Sequence, residues 1–162
     1  MDAILAQWNS LRRNDSLPFG AYADFLLVHK GWPGEAQLRR TAERALRADQ
    51  DDPATLMRFF SNRKPESATG WLRYAEALAA LTRPDEATQA ARKAWTAAPL
   101  TEADEARLLQ KFGTILRIED HDERMDRFLW LRATQAAARH IDRTSITRRP
   151  NFDVRLALLT KS

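Results

Sequence analysis

The sequence predicts an all-α protein: a right-handed α-superhelix, or solenoid, of antiparallel helix hairpins of tetratricopeptide-like type. Three observations predict it. Among 162 residues Ala occurs 27 times and Leu 20 times, whereas Val and Ile together occur 7 times, so helix formers dominate and strand formers are scarce. Apolar residues recur at the i, i+3, i+4 spacing of one helix face. Pro, Gly and Asp interrupt that pattern at short intervals, which implies brief loops and antiparallel neighbours.

Each element follows from its residues. Ile4, Leu5, Trp8 and Leu11 line a first helix, and Tyr22, Phe25, Leu26 and His29 a second, after the break Leu17-Pro18-Phe19-Gly20. Gly31-Trp32-Pro33-Gly34 turns the chain into a third helix carrying Leu38, Ala42, Ala45 and Leu46. Asp52-Pro53 starts a fourth, because Asp caps and Pro suits the first helical position, where its missing N–H costs nothing. Leu56, Met57 and Phe60 then face inward, and 62–67 is a loop. Over 68–99, Trp71, Tyr74, Ala75 and Leu78 share one face, Arg83-Pro84-Asp85 turns, Ala87, Ala91 and Ala94 line the return helix and Pro99 closes it. That is the spacing of a tetratricopeptide-like hairpin, whose small residues let two helices approach closely. Further helices are expected over about 102–117 (Leu108, Leu109, Phe112, Leu116), 120–131 (Met125, Phe128, Leu129), 134–141, and from Asn151 onward. About ten helices in a single domain, 1–162, result.

Composition removes several functional classes. The chain has no Cys, which excludes disulfides, Cys-ligated zinc, iron–sulfur clusters and a thiol nucleophile. It contains no glycine-rich phosphate loop and no apolar run long enough to span a bilayer. The net charge is +4, and the excess lies in 121–162, where 9 cations face 5 anions. Even there Arg alternates with Asp and Glu, as in Asp122-Glu123-Arg124 and Asp126-Arg127. This reads as a solvated helix face with i,i+3 and i,i+4 pairs rather than a stripe for nucleic acid.

The candidate chemistries are weak. Glu66-Ser67 follows a polar loop, so Glu66 is expected to be solvated and Ser67 to cap a helix; an acid catalyst would need a raised pKa. Asp49, Asp51 and Asp52 resemble the start of a calcium loop, but Ala54 and Phe60 stand where that loop needs Gly and Glu. His29, His121 and His140 are far apart in sequence. Asp120, Asp122 and Glu123 flank His121, yet consecutive helical residues point about 100° apart and do not converge on one ion; Glu119 or Asp120 suits a helix start instead. Trp32, Trp71, Trp95 and Trp130, with Tyr22 and Tyr74, could stack on sugars or anchor a peptide, but core packing is the expectation; Trp32, in its Gly-rich turn, is the one expected to be partly exposed. Arg39-Arg40 and Arg148-Arg149 are expected at the solvated surface. No catalytic, cofactor-binding or metal-binding residue is assigned.

Two segments carry a resemblance. One is His29-Lys30-Gly31-Trp32-Pro33-Gly34 with Leu38-Arg39-Arg40-Thr41-Ala42-Glu43. The other lies within 108–132, where Phe112-Gly113 is followed by Asp120-His121-Asp122-Glu123-Arg124-Met125-Asp126-Arg127-Phe128-Leu129-Trp130. Together they resemble the amino-terminal superhelical domain of soluble lytic murein transglycosylases of alphaproteobacterial type, over roughly 20–142. The resemblance implies a periplasmic, non-catalytic scaffold that supports a lysozyme-like catalytic domain and contacts peptidoglycan glycan strands. The family's Gly-Leu-Met-Gln motif is absent and Glu66-Ser67 falls in the wrong domain, so no catalytic residue carries over. On this reading the chain is a fragment whose signal and catalytic domain lie elsewhere, and Phe152, Leu156 and Leu159 form an uncovered face that drives self-association. A stand-alone tetratricopeptide-like adaptor for a peptide or protein is the alternative.

Overall fold

The structure, a computed structural model, describes residues 2–161. Among them there are ten α-helices and no strand: α1 (Asp2–Arg13), α2 (Phe19–Val28), α3 (Glu35–Ala45), α4 (Pro53–Asn62), α5 (Ala68–Ala80), α6 (Pro84–Ala97), α7 (Glu102–Phe112), α8 (Ile118–Trp130), α9 (Thr134–His140) and α10 (Arg149–Thr160). Two 3₁₀ turns, Gly113–Ile115 and Ile141–Arg143, follow α7 and α9. The chain forms two compact units, Met1–Ala87 and Thr88–Ser162.

In the first unit α2 packs on α3 and α4 on α5, while α2 also meets α4 and α3 meets α5. Its core is aromatic: Phe59 sits edge-on to Phe19 at 5.2 Å and to Phe60 at 5.0 Å, and Phe60 lies 5.6 Å from Tyr74. Buried Tyr22 ties down the α1–α2 linker, its hydroxyl donating to the Asn14 carbonyl and accepting from the Leu17 N–H. Trp32 is half-buried and packs against Trp8, Phe25 and His29.

The helix starts follow the capping chemistry read from the sequence. Asp52 accepts from the Thr55 N–H at 3.1 Å and Ser67 from the Gly70 N–H at 3.0 Å. Asp51 accepts from the Arg47 N–H, and Asp120 reaches back to the Arg117 N–H at 2.8 Å. The three acids at 49–52 thus include two that serve the backbone.

A buried carboxylate joins α3 to the start of α5. Glu43 accepts from the Glu66 N–H at 3.0 Å, the Ser67 N–H at 3.0 Å and the Ser67 hydroxyl at 2.7 Å. An anion here satisfies amides that α5 leaves without intrahelical partners and complements the helix dipole. Gly70 is required beside it, because a Cβ there would overlap Glu43 Oε1. Arg39, expected at the surface, is instead buried, stacked 4.3 Å from the Phe59 ring and donating to the Arg63 carbonyl.

In the second unit α8, α9 and α10 enclose a core of Met125, Phe128, Leu129, Ala137 and Phe152. This corrects the expected C-terminal face. Phe152 is fully buried, and Leu156 and Leu159 pack against the same core, while Val154 and Leu158 point outward. The reason is register: the α10 stripe at i, i+4, i+7 is the one that closes the α8–α9 pair.

A turn recurs in the two units. After α5, Thr82 adopts φ 58°, the Arg83 N–H donates to the Leu78 carbonyl and the Thr82 N–H to that of Ala79. After α8, Arg132 adopts φ 58° with Ala133 donating to Phe128 and Arg132 to Leu129. Both are Schellman endings with a non-glycine residue in the left-handed position. In each, a buried Ala lies nine residues beyond the accepting core residue: Ala87 after Leu78, and Ala137 after Phe128.

Candidate ligand-binding groove

α8 divides its residues between two faces. Asp122, Arg124, Met125, Phe128 and Leu129 are buried, while Glu123, Arg127 and Trp130 are exposed and Asp126 is half-buried. The buried face contains charges, which corrects the solvated-face expectation at Asp122 and Arg124. Arg124 is 1% exposed. Its guanidinium lies between the rings of Trp95, at 3.7 Å, and Phe128, at 4.4 Å, and donates to the Trp95 carbonyl at 2.7 Å and to Glu105 at 3.1 Å. Burial pulls its pKa down to about 10 despite Glu105, so Arg124 remains a cation at neutral pH. Asp122 accepts from the Ser145 N–H at 2.8 Å and so orders the segment before α10.

Two histidines that are separate in sequence meet at this node. The Trp95 indole N–H donates to His121 Nδ1 at 3.1 Å, and His140 Nε2 donates to the His121 carbonyl at 2.8 Å. The carbonyl can only accept, so the neutral His140 carries its proton on Nε2. Its Nδ1 is buried without a partner. Burial pushes His140 down to about 4, with Arg124, His121 and Arg143 adding to the shift and the backbone bond opposing it. His121 is lowered by burial and by Arg143. The node ties α6, α8 and α9 together, and Glu105 of α7 joins it through Arg124 and Arg143.

The outward side of α8 carries two adjoining depressions that share Glu123, one against α10 and the other against α6. The first, about 290 Å³, is walled by Glu123, Asp126, Arg127, Trp130 and Arg155. The second, about 330 Å³, is walled by Gln89, Arg92, Lys93, Thr96, Asp120 and Glu123. The α6 and α8 residues follow helical spacing, so these walls are helix faces, and Arg155 of α10 faces α8 across the first depression. Trp130 is 78% exposed, which corrects its placement among the core aromatics. Trp95, Tyr22 and Tyr74 are buried as expected, and Trp71 is half-buried.

Part of the groove's charge is already neutralised. Arg155 and Arg148 donate to Asp126 at 2.7 and 2.8 Å, and Arg92 pairs with Asp120 at 3.4 Å. Burial raises the Asp126 carboxyl, but the hydrogen bonds from Arg155 and Arg148 outweigh it and hold the group below the usual carboxylate range. Asp126 is therefore an anion at neutral pH and has no proton to give. Arg149 donates to the Asp142 and Thr144 carbonyls, so the Arg148-Arg149 pair serves the fold. Among the described residues the side chains of Lys93, Glu123 and Arg127 have no hydrogen-bond or ion-pair partner, and no group of three or more His, Asp or Glu is placed to hold a metal ion. Glu66 is exposed in its loop.

The groove was legible only in part. At 100° per residue Trp130 points roughly 150° away from the mean direction of Met125, Phe128 and Leu129, a signal that a helical wheel contains. The pairing of α6 with α8 has no sequence signal, because Trp95 and Arg124 are joined through tertiary contact. No family model, no curated protein and no solved structure matches this chain.

Proposed function

We propose that this chain is a non-catalytic helical scaffold of a periplasmic peptidoglycan lytic transglycosylase, supporting a catalytic domain and contacting murein glycan strands. One observation carries the reading. In the α8 segment that resembles the family, Asp120 caps the helix, His121 and Arg124 build the buried node, Asp126 holds two arginines and Leu129 fills the core. Arg127 and Trp130 do none of this and face solvent. An exposed indole on a rigid helix, beside polar side chains, is suited to stacking on a ligand.

The solenoid arrangement belongs to the same proposal. The stacking of α2–α3 on α4–α5 within the first unit, through α2–α4 and α3–α5, is what consecutive hairpins of a solenoid require. The recurring turn at Thr82 and Arg132 supports a repeated unit.

The experiment is incubation of the purified chain with murein sacculi, followed by sedimentation and analysis of the supernatant. The expected result is co-sedimentation with no release of 1,6-anhydromuropeptides. Release would contradict the non-catalytic assignment, and failure to sediment would contradict murein contact and favour a protein-binding adaptor.

A further inference from the structure

Most arginines of the second unit have a counter-charge. Arg92 pairs with Asp120, Arg124 and Arg143 with Glu105, and Arg148 and Arg155 with Asp126. Arg132 and Arg139 differ. Both are exposed, and among the described residues their guanidinium groups have no hydrogen-bond or ion-pair partner. They stand seven residues apart, one in the turn after α8 and one in α9, yet they open on the same depression of about 430 Å³. No carboxylate stands among its walls, whereas each of the two depressions beside α8 contains two. The positive charge here belongs to side chains and not to the start of α9, which is only seven residues long.

Neither guanidinium serves the fold. Arg132 occupies the left-handed position of its turn, where φ 58° strains a residue with a Cβ. At the matching position in the first unit the Thr82 hydroxyl bonds the Leu81 carbonyl, and Arg132 gains no such bond. Arg139 works against the fold's own charges, since it is one of the cations that lower Arg124. Two like charges facing one depression without a counter-charge make a positive potential that an anion relieves. We infer that this depression, between the α6–α7 connection at Pro99 and α9, binds a small organic dianion whose two charges are taken by Arg132 and Arg139. The planar fork of a guanidinium matches carboxylate and phosphoryl oxygens alike, so the class is set by charge: a dicarboxylate or a phosphate monoester. Pro99, Ala133 and Ala136 present apolar surface to its carbon skeleton, and Thr134 and Gln135 supply further polar groups. The volume is that of a small-molecule site.

The site shares no wall with the depressions beside α8 and does not depend on the murein reading. Calorimetric titration of the chain with glycerol phosphate, with succinate and with the monoanion acetate, at physiological ionic strength, tests it. Saturable one-to-one binding of glycerol phosphate, succinate or both is expected, about tenfold or more tighter than acetate, and the dianion preferred tells phosphoryl from dicarboxylate. Arg139→Gln and Arg132→Gly are each expected to weaken that binding by about tenfold or more. Arg132→Gly carries its own folding control: relief of the strained turn raises the melting midpoint while binding falls. Arg127→Gln removes an equally unpaired guanidinium outside the depression and is expected to leave binding unchanged. Absence of saturable binding by both dianions would overturn the site. So would acetate binding as tightly as they do, or Arg127→Gln weakening them as much as Arg139→Gln.

Discussion

The guanidinium of Arg124 lies 3.7 Å from the centre of the Trp95 ring and donates to the carbonyl of that same residue at 2.7 Å. One side chain of α8 thus grips both the ring and the backbone of α6. The cation has left water, and the stack, the carbonyl and Glu105 offset its desolvation. Arg124→Ala is expected to lower stability by about 3 kcal/mol or more, because it leaves the Trp95 carbonyl and the Glu105 carboxylate without their partner. Arg124→Lys is expected to recover little, since an ammonium cannot reproduce the planar stack and two-way donation. Urea unfolding of the two variants measures both.

His140 makes the second unit acid-sensitive. Its folded pKa of about 4 lies below the unfolded value of 6.5, so below pH 6.5 the unfolded chain takes up a proton that the folded chain refuses. The stabilisation from keeping His140 neutral is complete above pH 6.5 and is lost progressively as pH falls toward 4. About 2.5 pH units at 1.36 kcal/mol each amounts to about 3 kcal/mol. The groups facing it, Arg124, Arg143 and His121, carry or acquire positive charge; Glu105 pairs with Arg124 and Arg143, and Asp120 and Asp122 act on His121. Melting curves between pH 7.5 and 4 are expected to show the decline. In His140→Phe the decline is expected to be much smaller, whatever the variant's stability at pH 7.5.

Glu43 and Gly70 form a coupled pair in the first unit. Glu43→Gln retains the size of the side chain but loses the charge that accepts from two backbone amides and a hydroxyl, and is expected to cost about 2 kcal/mol. Gly70→Ala is expected to cost at least as much by pushing Glu43 off those amides. Combined with Glu43→Ala, the Gly70→Ala penalty is expected to shrink, a coupling that a double-mutant cycle reads directly.

The left-handed turn residues offer the opposite sign. At φ 58° a residue with a Cβ is strained, so Arg132→Gly and Thr82→Gly are expected to raise stability by up to about 1 kcal/mol each, net of the entropy glycine adds to the unfolded chain. A rise in the melting midpoint of either variant checks the turn geometry.

The all-helical class, the helix starts at Pro53 and Ala68, and the inward stripe of Met125, Phe128 and Leu129 were all readable, because each depends on local spacing or on one capping side chain. What escaped the sequence depends on tertiary partners. Arg124 and Asp122 look like members of a solvated run until Trp95 and Ser145 arrive from elsewhere in the chain. His121 and His140 meet only once α9 folds back on α8. Arg39 reads as half of a surface Arg-Arg pair, and only the Phe59 ring makes it a core residue. Trp130 failed for a different reason: composition favours buried tryptophan, and that tendency outweighed the helical phase that places it outside.

The central claim is that the outward face of α8 contacts murein through Trp130. Side-by-side sedimentation of the native chain and Trp130→Ala with purified sacculi tests it most directly. The account predicts that the native chain pellets with the sacculi and that the variant, equally folded, stays largely in the supernatant. Equal pelleting of the two proteins would contradict it.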